Sequence, residues 1–327
     1  MPPPSPLLVR AWAVFRRARP EEALFVAAFV PSTVVTLYAN WTLQQAGGFS
    51  GRIASGILRL VIATIVALFI PLAEYTRAQW QTRPTLARWI ESARTVIPFL
   101  LCIAVYTNLH DTVRFVNPHD IHQYLAAADR WLFGVQPVVW AEQFITPGRT
   151  EIFSAFYGSF FLIAPSLVLL LLLTGRRAEA RVALVGFIVC FYTGYVLYVV
   201  FPAAPPRLYL ASLGEFSRDL KGGAMGITAF QNALISMVPN EASRAAFPSL
   251  HAAVSLLTLL YAWRYVRWYV LPLGVVVTGL LVSTVYLRHH FVVDLVAGAA
   301  LVPWVLWAAP RFERWWMAGQ PAGGGVS

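Results

Sequence analysis

Residues Trp268 to Arg288 read WYVLPLGVVVTGLLVSTVYLR, and the chain runs on through His289, His290 and Phe291-Val-Val-Asp294 into a second apolar stretch that lasts to Ala309. A helix needs about 20 apolar residues to cross the hydrocarbon core of a bilayer, and the first stretch has that length. Both stretches therefore belong in lipid, and the ionisable residues between them stand where the chain turns back into the membrane. Charged and titratable side chains at that depth are costly, so they are functional candidates before anything else is known of them.

The same reading extends outward along the chain. Six further apolar runs lie near 22–40, 56–74, 95–110, 152–174, 182–201 and 251–266. The expected fold is all-α and polytopic, with about eight transmembrane helices. Composition agrees: of 327 residues, 58% are hydrophobic and 12% are charged, roughly half the charged share of a soluble domain. The two cysteines, Cys102 and Cys190, sit inside apolar runs, which excludes a disulfide framework and a cysteine-based zinc site. No cofactor and no metal are expected.

The net charge of +10 would suit nucleic acid in a soluble protein, but here the arginines come in clusters that flank the apolar runs, which is how topology is written. No nucleic-acid partner is expected. If the helices alternate, one side carries Arg10, Arg16, Arg17, Arg19, Arg77, Arg83, Arg88, Arg94, Arg176, Arg177, Arg181, Arg264, Arg267, Arg311 and Arg314, which is 15 of the 25 basic residues, on short segments. The positive-inside rule then puts both termini in the cytoplasm and the long connections 111–151 and 202–250 outside, with the plasma membrane as the expected location. The Pro- and Arg-bearing start leads into an apolar run with no small-residue cleavage site, so no cleavable signal is read.

On a helix, His290 and Asp294 stand at i and i+4, where the carboxylate can hold one imidazole nitrogen and leave the other as a nucleophile. Taken alone, such a pair fits a structural helix end as well as catalysis. Alternation adds a second argument, because it brings Arg207, His251, His290 and Asp294 to one face. Ser249 and the free amides that open the sixth run form an anion site at a positive helix end. Arg207, Arg244 and Arg288 offer fork-shaped donors to a phosphate, and each would equally serve to anchor the protein at lipid headgroups.

At these residues the chain resembles the type 2 phosphatidic acid phosphatase superfamily, whose motifs are K-x6-R-P, P-S-G-H and S-R-x5-H-x3-D. Pro248-Ser249-Leu250-His251 matches the second, and Ser283-Thr284-x5-His290-x3-Asp294 the third, a spacing that selects His290 over His289. The resemblance implies His290 as the residue that attacks phosphorus, Asp294 as its orienter and His251 as the acid that protonates the leaving oxygen. It aligns Arg207 with the first-motif arginine; Ser249, Arg244 and Arg288 complete the candidate phosphate-binding set on the helix-end and charge arguments above, and the cradle is incomplete by the family's pattern. Departures are plain: Val200 stands at the family's lysine, Leu208 at its proline, Leu250 at its glycine and Thr284 at its third-motif arginine. With Phe247-Pro-Ser-Leu-His-Ala252, Phe201-Pro-Ala-Ala-Pro-Pro-Arg207 and Asp129-Arg-Trp-Leu-Phe-Gly134, they are similar to the branch that contains inositol phosphorylceramide synthase.

The resemblance spans about 110 to 301 and implies a six-helix phosphatase-like core. The expected division is 1–94 with two transmembrane helices, 95–310 as the core, and 311–327 as a short cytoplasmic tail. The expected activity is a metal-independent transfer or cleavage of a lipid phosphoester through a covalent phosphohistidine, with a polyol or lipid alcohol as acceptor. A lipid phosphate or polyprenyl phosphate phosphatase, with water as acceptor, stands beside it, as does a lipid transporter or binding scaffold. The connection from Pro202 to Phe247, with Gly222, Gly223 and Gly226, is expected to form a cover or an acceptor-selecting wall. The sequence leaves the lipid, the acceptor and the oligomeric state open.

Overall fold

The structure, a computed structural model, describes residues 15–16, 18–45, 51–236 and 243–319. Arg10, Arg17 and the tail beyond 319 lie outside the described residues. All eight apolar runs fall on helices: α1 (Pro20–Gln45), α2 (Gly51–Ala67) with α3 (Phe69–Tyr75), α4 (Pro84–Val116), α6 (Pro147–Gly158) with α7 (Phe160–Leu173), α8 (Arg177–Val200), α11 (Leu250–Tyr265), α12 (Val270–Tyr286) and α13 (Val292–Ala318). Shorter helices α5 (His122–Phe133), α9 (Pro206–Ser212) and α10 (Ile227–Ser236) lie in the two long connections. No strand occurs among the described residues; Ala203 and Ala245 form one isolated parallel bridge.

Length refines the eight runs. Among the described residues, five helices are long and apolar enough to cross a membrane by themselves, and six if the α6–α7 pair is one span bent by 43°. The bend falls at Gly158-Ser159, a pairing that commonly kinks helices; the Ser159 hydroxyl donates to the Phe156 carbonyl at 2.6 Å instead of to water. The run near 95–110 is part of a 33-residue helix that starts at Pro84, because the polar turn 84–94 has good helix formers and merely lacks hydropathy. The run near 56–74 breaks at Leu68, and α11, at 16 residues, stays short.

The chain separates into two compact units. One comprises the described residues up to Asn108, Leu184–Val189 and those from Val305; the other comprises Leu109–Ala183 and Cys190–Trp304. In the first, Phe25, Ala63 and Leu101 form a buried cluster, and Arg94, 3% exposed, pairs with Glu22 at 2.8 Å and Glu74 at 2.6 Å. An ion pair this buried is stable only with both partners present. Every candidate site residue lies in the second unit.

In that unit, side chains both local and distant in sequence cap the helix ends. Ser249 caps α11, its hydroxyl accepting from Ala252 N at 3.3 Å, and Thr146 caps α6, with Pro147 at the first helical position. Asp129, fully buried on α5, accepts from Val292 N at 2.8 Å and Val293 N at 3.0 Å and so caps α13. Glu151, 1% exposed, does the same for α10 through Ile227 N at 3.0 Å and Thr228 N at 3.3 Å.

Candidate active site

The centre of the second unit is a chain of three side chains. His290 Nδ1 lies 3.3 Å from Asp294 Oδ2, and His290 Nε2 lies 3.1 Å from Nδ1 of His251. With the carboxylate facing Nδ1, that nitrogen carries the proton, and Nε2 presents a lone pair. Asp294 is fully buried at the first turn of α13, and its Oδ2 also accepts from Phe291 N at 2.9 Å, which fixes the carboxylate. Burial is the largest influence on the His290 imidazole and lowers it; a bond to the Ala246 carbonyl opposes this, the charge of Arg207 adds to it, and the ring is held down to about 4. It is neutral at physiological pH, as a nucleophile must be.

The backbone places these rings. The carbonyl of Thr284, the residue at the family's arginine position, accepts from His289 N at 2.8 Å and His290 N at 3.1 Å, so this buried threonine shapes the turn. Arg288 enters the turn at φ 63°, a conformation uncommon outside glycine. Ser249 N donates to the Asp294 carbonyl at 3.0 Å and thereby joins the second motif to the third. Gly298 makes that junction feasible, since a Cβ there would stand 2.2 Å from the Ser249 carbonyl oxygen. Leu250, where the family has glycine, is buried against Gly194, whose missing side chain leaves it room.

The expected phosphate-binding residues divide. Arg207 N donates to the Arg288 carbonyl at 2.8 Å, and the charge of its side chain is felt at both His289 and His290. Arg244 directs Nε at Asp120, 2.9 and 2.7 Å from the two carboxylate oxygens. Arg288 is 8% exposed; its Nη2 donates to Glu142 at 2.7 Å and to the Arg218 carbonyl at 2.6 Å, and its guanidinium lies 3.8 Å above the Phe216 ring. Ser249 uses its hydroxyl as the α11 cap. Arg207 is thus the arginine aligned with the histidines, and Arg244 and Arg288 hold carboxylates.

Glu142 was not singled out from sequence. Burial pushes its carboxyl up, but bonds from the Ser217 side chain and backbone and from Arg218 N, with the Arg288 charge, outweigh that and leave it below the ordinary carboxylate range. It therefore stays ionised and ties the 213–230 segment to the turn that carries the histidines. Its only sequence signal was an acidic residue in an aromatic, membrane-bordering connection. Asp129 had a signal, the Asp129-to-Gly134 segment, without a role attached. The glycines of the cover expectation are explained by packing and turns: a Cβ on Gly222 would meet the Thr228 side chain at 2.5 Å, and Gly226 has φ 73°.

An apolar cavity of about 460 Å³ lies beside this turn, lined by Pro137, Trp140, Phe144, Phe153, Leu281 and Val285 among others. Among the described residues no group of three or more His, Cys, Asp or Glu side chains is arranged to hold a metal ion.

Comparison with known proteins gives a consistent result. A family model described as PAP2 superfamily matches residues 123–308, more than half of the chain. The chain is 29% identical over 229 residues to the phosphoinositol dihydroceramide synthase of Bacteroides thetaiotaomicron, a match covering 63% of this chain and 74% of that protein. It is 35% identical over 116 residues to the catalytic subunit of inositol phosphorylceramide synthase of Saccharomyces cerevisiae, covering 33% of this chain and 29% of that protein. No solved structure matches.

Proposed function

Because this chain belongs to the PAP2 superfamily, we propose that it moves a phosphate-linked headgroup from one lipid to an alcohol through a phosphohistidine on His290. The chain is an integral membrane enzyme of lipid phosphoester chemistry. The observation that carries the finer reading is the continuous contact from Asp294 through His290 to His251, at 3.3 and 3.1 Å, on the segments that match the second and third motifs.

The reaction is two in-line displacements. His290 Nε2 attacks phosphorus, the bond from phosphorus to the donor's alkoxide breaks, and His251, within reach of Nε2, gives that oxygen a proton. His251, now a base, then takes the proton of an acceptor hydroxyl as its oxygen attacks phosphorus and the nitrogen–phosphorus bond breaks. Asp294 stabilises the charge that develops on the His290 ring. Arg207, with the amides opening α11, holds the equatorial oxygens; Arg244 and Arg288 each keep a carboxylate, Asp120 and Glu142, while offering their remaining N–H donors. The apolar cavity suits a lipid tail.

The core carrying this chemistry is taken as 95–310. The active site faces away from the cytoplasm at the plasma membrane, with both termini inside, as the arginine distribution supports. The transferase reading is favoured over simple hydrolysis by the two relatives, whose names are those of synthases.

The test is the purified protein in detergent with a panel of lipid phosphoesters, with and without a lipid alcohol. Formation of a new phospholipid only when the alcohol is present is expected, and phosphate release alone would mean hydrolysis. Brief exposure to donor labelled in the headgroup, followed by an alkaline quench, should leave label on wild-type protein and none on His290→Ala. Label retained on His290→Ala would assign the nucleophile elsewhere.

A further inference from the structure

His289 is the one histidine of the turn that the two displacements do not use. It is 8% exposed, and its ring stacks on Tyr157 with centroids 4.1 Å apart and planes at 16°. The same Tyr157 ring lies 4.9 Å from the ring of His251, so tyrosine, His289 and the proposed acid form one wall. Nε2 of His289 stands 3.3 Å from the amide nitrogen of Gln231, on α10 above the turn. The amide donates to the ring lone pair, and the Gln231 Oε1 is buried without a hydrogen-bond partner among the described residues. Buried polar atoms without partners are rare in native structures, and each calls for a partner such as a ligand or an ordered water.

We propose that Gln231 and His289 read the hydroxyls of an uncharged polyol headgroup, the group that travels with the phosphate between donor and acceptor. The inference rests on the transferase reading above and specifies what that enzyme transfers. A hydroxyl both donates and accepts, so it satisfies Gln231 Oε1 while keeping contact with the imidazole. A fatty chain would leave Gln231 Oε1 unpaired. An ammonium headgroup is disfavoured by charge. Burial first, and then the cation of Arg207, push His289 well below its ordinary range, so the imidazole is neutral. Glu142 is committed to Arg288 and Ser217, and Glu151 gives one of its two oxygens to the α10 amides. Position fits as well: the Tyr157 ring touches both His289 and His251, and His251 touches His290, so a phosphoryl group at His290 has this pair nearby. The pair also requires α10 in place, which Glu151 and the Ser154–Thr228 contact at 3.0 Å secure.

The test uses the full chain in detergent turning over a phosphatidylinositol donor, with two soluble inhibitors, inositol 1-phosphate and inorganic phosphate. Gln231→Leu and His289→Gln should each raise the inhibition constant for inositol 1-phosphate by roughly tenfold to a hundredfold, since a site built to bond hydroxyls is left with unmet groups. The constant for inorganic phosphate should stay within about twofold, because Arg207, His251 and His290 are untouched. Parallel loss for both inhibitors, or no change in either, would overturn the subsite. Gln231 is only half-buried, so Gln231→Leu keeps the test alive if His289→Gln fails to fold. A wild type that turns over no lipid phosphoester would instead remove the proposed function, and this inference with it.

Discussion

His290 and Asp294 do different work although both belong to one hydrogen-bonded chain. Replacing His290 by alanine should abolish turnover, because in the proposed reaction its Nε2 is the atom that bonds phosphorus. His289 is turned toward Tyr157 and Gln231. Asp294→Asn keeps the shape and loses the charge, and by the logic of other histidine–aspartate pairs kcat should fall by roughly 10³- to 10⁴-fold with a measurable residue. Initial rates of the two variants, on protein shown to be folded by gel filtration, decide this; equal residual rates would contradict it. A second residue-level prediction concerns acid. His289 and His290 are held below the ordinary value of 6.5, the latter to about 4, so between those values the unfolded chain binds protons that the native turn refuses. Their effect on stability is absent above about pH 6.5 and grows more unfavourable as pH falls toward about 4. Melting temperature in detergent should therefore drop from pH 7 to pH 5, and the drop should shrink in His289→Gln.

Helix ends and the segments that cap them decide whether those residues meet. Gly298 lets α13 approach the opening turn of α11, and the atom a new methyl would strike is a backbone oxygen, which moves only with its helix. Gly298→Ala should cost about 1–3 kcal/mol and part the histidines, lowering both melting temperature and rate. Glu142→Ala leaves Arg288 charged, buried and without its carboxylate, at a cost of about 3–5 kcal/mol. Glu142→Gln should recover part of that by keeping the bonds to Ser217. The 213–230 segment is held at both ends by acidic residues of the preceding connection. Shortening it between those anchors, with Ser217, Arg218, Ile227 and Thr228 kept, should therefore change substrate range before it changes the fold. A folded, shortened protein with unaltered rate and range would show that the segment only connects.

At the scale of the whole molecule, the arginine distribution predicts both termini on the cytoplasmic side. A tag after Ser327 should be protected from added protease in intact cells and cleaved after permeabilisation, and cleavage in intact cells would invert the topology. The sequence by itself determined the membrane class, the eight helical runs and the identity of the histidine–aspartate pair. Hydropathy and a spacing of four residues are local properties, which a linear chain displays in full. What only the tertiary structure decided is which distant groups share a place. Arg244 meets Asp120 across 124 positions and Arg288 meets Glu142 across 146, so two arginines that suited phosphate on charge alone are found holding carboxylates. Asp129 caps a helix 163 residues away, and Gln231 reaches His289 from a different connection. Such partnerships are set by how helices pack. Packing depends on the shape of every side chain in the unit, and no local pattern encodes it.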